Sequence, residues 1–566
     1  MWKWILCAAC CLVDKTLAGQ EFPIVITEIM GDPVPSVGLP AEEYVELTNV
    51  SKEEVRLSGW SLSNGRTRGR FGDSVFLGPG EILILCPANA VSVFSAFGRS
   101  LGLSPFPAIS NTGDTLFLFN EKEELVVAAA YRPSLLDAAK AAGGWALELV
   151  NSNAACRQVN NWKASIDTLG GSPGKTNSHK VEAQELPPVD PVHAWCPDAQ
   201  TIRLVFTDRV HRSVAEQTGL YLLQEGPEIE KAELLGPFQE EVQLHLGSGI
   251  QQGKIYTLKV AGIPGCNEAV EPGAGFLELK VGLPDTSEKA VLVNELLPDP
   301  SSEGSDFVEL YHNGKSPVPL EGWQIAGRNS AGNLSAARLL VPGQRFFYPG
   351  DYLVLTTDAN WLQKQFHVKH PNSLVELPSL PSFPNERGSV VLVNRNGEVV
   401  EEVNYDAAWH HEMLRNRDNV SLERRNPSEP SQSASNWTSA AMHAGYGTPG
   451  SENSQSGVAS DPDRVFIGSD IVSPDADGQN DVCEINYEFA TSGNLIRISI
   501  FDRSGKLQRQ LINNGICAQT GHFYWDGRND KNQLLPNGLY IIVADTWQLS
   551  GKTKRYRMAV TLGKKL

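Results

Sequence analysis

Four oxygen-bearing side chains crowd one short segment near the end of the chain. Ser473-Pro-Asp-Ala-Asp-Gly-Gln-Asn-Asp481 presents Asp475, Asp477, Asn480 and Asp481 within a single turn. Hard oxygens at this density are what a calcium ion needs, since it takes about six to eight such ligands. The order is not that of an EF-hand, because Gly478 comes at the fourth position and no Glu stands at the twelfth. An Asx-turn network, with Asp475 and Asn480 capping backbone amides, accounts for the same residues. Two further carboxylate pairs, Glu28/Glu46 and Glu295/Glu309, sit in strand-like segments. They could hold a cation, face solvent or bind the backbone of a loop. No cofactor is required by any motif, and calcium is the one ion the sequence suggests.

Catalytic signatures are sparse. His410-His-Glu412 is not His-Glu-x-x-His, and the chain has no Gly-x-Ser-x-Gly elbow, phosphate loop or dinucleotide fingerprint. Asp208 and His211, next to Arg209 and Arg212, read as decoration of a loop after a strand. The chain therefore reads as non-enzymatic. An extracellular hydrolase built from sandwich loops, or the noncatalytic partner of a nuclease or phosphoesterase, is the alternative.

The elements that position these residues are repeated. Ile24-Val-Ile-Thr-Glu-Ile-Met-Gly-Asp-Pro33, Glu43-Tyr-Val-Glu-Leu47 and Leu57-Ser-Gly-Trp60 return as Val291-Leu-Val-Asn-Glu-Leu-Leu-Pro-Asp-Pro300, Asp306-Phe-Val-Glu-Leu310 and Leu320-Glu-Gly-Trp323. Pro79-Gly80 matches Pro349-Gly350, and Gly171-Ser-Pro-Gly174 matches Gly447-Thr-Pro-Gly450. Short branched runs between Pro-Gly turns predict a β-sandwich used twice. Alternation puts Tyr44 and Glu46 on one face and Val45 and Leu47 on the other. Trp60 and Trp323 are expected in the core between sheets.

These motifs resemble the lamin tail domain, an immunoglobulin-like sandwich, over about 22–178 and 289–454. No sustained heptads accompany them, so filament formation is not implied. Between the copies, Thr201-Ile-Arg-Leu-Val-Phe206 and Tyr256-Thr-Leu-Lys-Val260 resemble the spacer modules of bacterial surface-layer proteins. The last hundred residues, with Trp525-Asp-Gly527 and Pro536-Asn-Gly-Leu-Tyr540, are similar to terminal modules of Bacteroidota gliding-motility and type IX secreted proteins, and to the flagellar hook-cap module. That resemblance implies an export and surface-attachment signal; a plain terminal sandwich is the other reading.

The expected fold class is all-β, four tandem Ig-like sandwiches of which two are lamin-tail-like. The boundaries read 1–19 signal peptide, 20–181 first lamin-tail-like domain, 182–288 spacer, 289–454 second lamin-tail-like domain, 455–462 flexible linker and 463–566 sorting or docking domain. Ile5 to Val13 is an apolar run followed by Leu17-Ala-Gly19, the pattern of ordinary signal cleavage, although Cys7, Cys10 and Cys11 leave a lipoprotein signal open. The remaining cysteines fall two to a domain, Cys86 and Cys156, Cys196 and Cys266, Cys483 and Cys517, as disulfides of an oxidising compartment or as buried thiols. The net charge of −18 disfavours nucleic acid, which needs a basic surface to displace counterions. No later segment is apolar enough to span a bilayer. The expected setting is the cell surface or outer membrane, or secretion, with the periplasm left open. The expected partner is an outer-membrane protein or a surface ligand, protein or glycan.

Overall fold

The computed structural model describes residues 23–136, 139–151, 157, 161–179, 189–236, 238–265, 273–285, 290–335, 337–341, 343–412, 414, 416–456, 463–475, 479–548 and 550–563. The leader, Cys156, Cys266 and Asp477 lie outside them. The chain divides into two compact units, 1–250 with 256–281 and 251–255 with 282–566.

In the first unit, residues 24–164 build a sandwich. Its larger sheet runs Trp162–Ala164, Leu147–Leu149, Ile24–Met30, Tyr44–Asn49, Ile82–Pro87, Ser100–Leu103. The smaller runs Leu125–Tyr131, Asp114–Phe119, Ser61–Ser63, Arg68–Arg70. Val45 and Leu47 point between the sheets and join Trp60, Leu62, Leu116 and Leu118 in the core. Tyr44 points the other way, into a second small core with Ile84, Cys86 and Phe94. Both faces of the larger sheet are therefore covered, which explains why every residue of Ile24–Met30 is buried. The spacer follows as a four-stranded and a three-stranded sheet, with Ile202, Leu204 and Phe206 alternating inward.

The second unit repeats the first architecture. Its larger sheet runs Trp437–Ser439, Leu422–Arg424, Val291–Leu297, Phe307–His312, Tyr352–Thr356, Leu374–Glu376, the same order strand for strand. Each copy ends in a parallel pair, Ile82–Pro87 with Ser100–Leu103 and Tyr352–Thr356 with Leu374–Glu376. Each carries a register shift at the same place, between Ile26 and Glu28 and between Val293 and Glu295. Trp60 and Trp323 are core residues, 6% and 1% exposed.

The C-terminal domain pairs a three-stranded with a five-stranded sheet around Tyr487, Trp525 and Ile498. It is docked on the second lamin-tail-like sandwich. His411 Nε2 lies 3.1 Å from Gly493 O, Arg425 Nη2 donates to Ser492 Oγ at 2.8 Å, and His443 Nδ1 is 3.0 Å from the Tyr487 hydroxyl. The flexible linker expected at 455–462 is corrected at its start, and the polar segment leading into it is part of the fold. Asn453 and Gln455 are buried, and Asn453 Nδ2 donates to Asn294 O and Arg424 O. The polar composition was spent on hydrogen bonds within the fold rather than on solvation. Residues 457–462 are outside the described set.

Candidate functional site

The carboxylates that the two repeats share come together as threes. Strand register places Glu28 beside Glu46 on one side and Glu148 on the other; Glu295 stands likewise between Glu309 and Glu423. All six are 0% exposed. Solvent-facing carboxylates are thus excluded, because the closing Gly-(Ser/Thr)-Pro-Gly loop lies over that face of the sheet.

The loop is held by the carboxylates themselves. In the first copy the backbone N–H of Ser172 donates to Glu28 Oε1 at 2.8 Å, that of Gly174 to Glu46 Oε2 at 2.7 Å and that of Ser178 to Glu148 Oε2 at 2.7 Å. The Tyr44 hydroxyl donates to Glu28 at 2.7 Å, and Ser172 Oγ donates to Glu148 at 2.9 Å. In the second copy Thr448 N–H donates to Glu295 at 2.9 Å, Gly450 N–H to Glu309 at 2.6 Å and Gln455 N–H to Glu423 at 2.8 Å. Thr448 Oγ1 takes the place of Ser172 Oγ, 2.9 Å from Glu423, and Ser421 Oγ donates to Glu295. Buried polar groups are tolerated when hydrogen-bonded in this way.

The loop's residue types follow from the close approach. A Cβ on Gly171 would lie 2.5 Å from the Tyr44 hydroxyl and 2.6 Å from Glu28 Oε1. Gly174 has φ +76° and would place a Cβ 2.4 Å from Phe97 O. Glu148 and Glu423 escaped the sequence reading. Their signal was present as Leu147-Glu-Leu149 and Leu422-Glu-Arg424, a lone acid between core residues.

Burial is the main influence on the acidity of these carboxyls. Burial, and then the neighbouring carboxylates, push Glu28 and Glu309 well above the usual carboxylate range. Burial lifts Glu46 to about 7, against the hydrogen bonds from Gly174 and Thr27. Burial and then Glu423 lift Glu295 to about 8. The arrangement binds backbone amides, and burial disfavours ionisation of the carboxyls that do so.

The remaining candidates fall elsewhere. Asp475 accepts from Ser473 Oγ at 3.2 Å, and Ser473 N–H donates to the backbone carbonyl of Asn480 at 2.7 Å. Asn480 takes a positive φ, 56°, and Asp481 neighbours it. Among the described residues no group of three His, Cys, Asp or Glu is placed to hold a metal ion. Cys483 and Cys517, read as a disulfide pair, are instead buried thiols, and Cys86 is another. Burial raises the Cys86 and Cys483 thiols to about 11. Cys483 belongs to the three-stranded sheet and Cys517 to the five-stranded one, each packed in the core between them. Cys196 is buried, and its expected partner Cys266 lies outside the described residues, as does Cys156.

Asp208 and Arg209 correct the reading of a decorated loop. Both are 1% exposed; Arg157 Nε donates to Asp208 Oδ2 at 3.0 Å, and Arg209 Nη2 donates to Ala128 O at 2.8 Å. They fasten the spacer to the first sandwich within one unit. Breaking a buried ion pair from one side strands the other charge, so Asp208→Ala should cost about 3–5 kcal/mol in urea unfolding. A loss below about 1 kcal/mol would place the pair in solvent. His211 and Arg212 remain outside, on Ser213 and Glu216.

Tandem immunoglobulin-like sandwiches, two of them built on one plan with a carboxylate-clamped loop, define the class. The lamin tail domain model matches residues 19–133 and 284–407, and the CHU_C type IX secretion signal domain model matches 466–561. The chain is a lamin tail domain protein with two copies of that domain and a C-terminal type IX secretion signal domain. The matches stop short of Glu148, Glu423 and both clamped loops, which the structure adds to each copy. No curated protein matches the chain. Among solved structures, the N-terminal part of the bacterial S-layer protein SbsC is 15% identical, with 30% of this chain and 40% of that one covered and a TM-score of 0.16. A tetra-tandem repeat from the extending region of a large adhesion protein is 9% identical, covering 96% and 99%, with a TM-score of 0.14. A Ca2+-stabilized adhesin of an ice-binding Antarctic bacterium is 9% identical, covering 95% and 99%, with a TM-score of 0.12. The secretion signal domain points to export and surface attachment. No helix among the described residues is long and apolar enough to cross a membrane.

Proposed function

We propose that this chain is a non-enzymatic binding protein displayed on the outer surface, with the lamin tail domains as its contact modules and the last domain as its export and attachment handle. The observation that carries this is the disposition of its chemistry. In both repeats the carboxylates that could have served a reaction are committed to the backbone of their own loop. What such sandwiches leave outside is surface, and they act by complementarity there. The spacer, fastened through Asp208 and Arg209, would set the reach of the first module.

The test uses native cells. With a tag in an exposed loop, the full chain should be cut by protease added to intact cells, and a chain lacking 463–566 should be protected until the envelope is opened. Co-purification of an outer-membrane partner would identify an envelope assembly. Surface exposure of the truncated chain, or hydrolysis of a phosphoester, nucleic acid or glycan that survives loss of contaminating enzymes, would overturn the proposal.

A further inference from the structure

The two copies of the lamin tail domain share a plan but differ on one face, the outer side of the smaller sheet. In the first copy, register builds two cross-strand rows there, Arg68–Ser63–Phe117 and Arg70–Ser61–Phe119. In the second copy the same rows hold Ala326 against Val391 and Gln324 against Val393, and Ala326, Val391 and Val393 form a buried apolar cluster flanked by Ala337. The first copy leaves its face open. Phe117 and Phe119 are only half-buried, 6.3 Å apart and tilted by 34°, and they floor a groove of 430 Å³ with Arg66, Arg68, Thr67 and Leu125 on its walls.

The charge on this groove is unusual for an acidic chain. Arg66, Arg68 and Arg70 alternate along one hairpin arm. Asp114 takes Arg66 at 2.5 Å, while Arg68 and Arg70 share the single carboxylate of Glu123. Glu121 and Glu124 are engaged with Trp60 Nε1 and Asn120 Nδ2. Three guanidiniums thus answer to two carboxylates; the Glu123 pairs lie at an exposed rim where they exchange readily for a ligand's, and Arg66 is itself exposed although Asp114 is largely covered. Arg68 lies 4.2 Å over the ring of Phe119, which fixes its fork beside the open ring of Phe117. Gly65 turns the chain beside this ring at φ +79°, with its Cβ position 3.7 Å from Phe117.

We propose that this groove binds an acidic polysaccharide, one or two uronate residues at a time, with a sugar face on Phe117 and its carboxylate on Arg66 and Arg68. This rests on the reading of the chain as a surface binding protein and supplies its ligand class. An added peptide strand is disfavoured by the edge itself, because Arg68–Arg70 is three residues long and offers little backbone to pair. An aromatic floor, a polar wall and a guanidinium beside it match a ring that carries both C–H faces and a carboxylate.

The experiment is affinity electrophoresis of the full chain in gels containing polygalacturonate, alginate, neutral dextran or poly-glutamate. The uronate polymers should retard it, more strongly at low salt, and dextran and poly-glutamate should not. R66Q/R68Q should weaken retardation at least tenfold and Phe117→Ala at least fivefold, with unfolding midpoints unchanged. No retardation by either uronate polymer, equal retardation by poly-glutamate, or full retention by both variants would overturn the assignment. Protease accessibility of the same variants on intact cells separates the two readings. Surface display without uronate binding removes only the ligand, whereas loss of display in the parent chain removes the function.

Discussion

Glu295→Leu should destabilise the second unit by about 3 kcal/mol, because it removes the acceptor from a buried N–H and from two buried hydroxyls. Thr448 N–H, Thr448 Oγ1 and Ser421 Oγ all donate to this carboxylate. Thr448 Oγ1 keeps a second acceptor in Glu423 and Ser421 Oγ a longer one in Tyr446 O, so the loss falls mainly on the amide. A buried donor without a partner costs about 1–3 kcal/mol, partly offset here by relief of the carboxyl's own desolvation. Glu295→Gln keeps an acceptor of the same shape and should cost less than about 1 kcal/mol. Urea denaturation of the full chain, read by the fluorescence of Trp437 and Trp323 in that core, gives both numbers. If Leu were tolerated as well as Gln, the carboxylate would not be holding the loop. Glu28→Leu should act in parallel on Ser172 in the first unit.

The same carboxyls should make stability fall as pH rises above neutrality. Glu46 is raised to about 7 and Glu295 to about 8 from an ordinary 4.5, so between those values the folded chain holds protons that the unfolded chain has lost. The stability tied to them is fully present below pH 4.5 and is lost as pH passes the raised values. It amounts to on the order of 3 kcal/mol for each such group. His410 works in the opposite sense. Burial lowers it to about 4, so its contribution is present above the unfolded histidine value and lost in acid. Between about pH 7 and 8, above the unfolded value of His410 and below that of the buried thiols, the glutamates dominate the change. Denaturant midpoints should fall across that window in the parent and flatten in the Glu46→Gln, Glu295→Gln double variant. A midpoint that is constant or rising in the parent would show that these carboxyls are ionised in the fold.

Local pattern carried far in this chain because the repeat supplied its own comparison. Period-2 alternation in Tyr44-Val-Glu-Leu47 placed Val45 and Leu47 in the core and Glu46 with Tyr44, as found. The Gly-Trp pairs marked core tryptophans, and the closing Gly-(Ser/Thr)-Pro-Gly stretches marked a shared loop. Whether the glutamates met solvent, a cation or that loop was not decided by alternation, which assigns a face but not what covers it. Glu148 lies 120 positions from Glu28 in the chain and beside it in the sheet.

The polar stretches misled for a related reason. Thr207-Asp-Arg-Val210 and Ser451–Ser456 have the composition of exposed loops, yet Asp208, Arg209, Asn453 and Gln455 are buried against partners tens to more than a hundred residues away. Composition measures a segment's affinity for water, and long-range hydrogen bonds can replace that water without altering the composition.

By itself the sequence determined the all-β class, the duplicated sandwich, its core tryptophans and the secretion-type C-terminal domain, since each is written in contacts between near neighbours or in a local period. Only the tertiary structure decided the third glutamate of each clamp, the docking of the last domain, the separate thiols of Cys483 and Cys517, and the open arginine–phenylalanine face of one copy. Those depend on which distant strands and loops come to lie over a given face, and the energy that selects them is shared among residues that no local window contains.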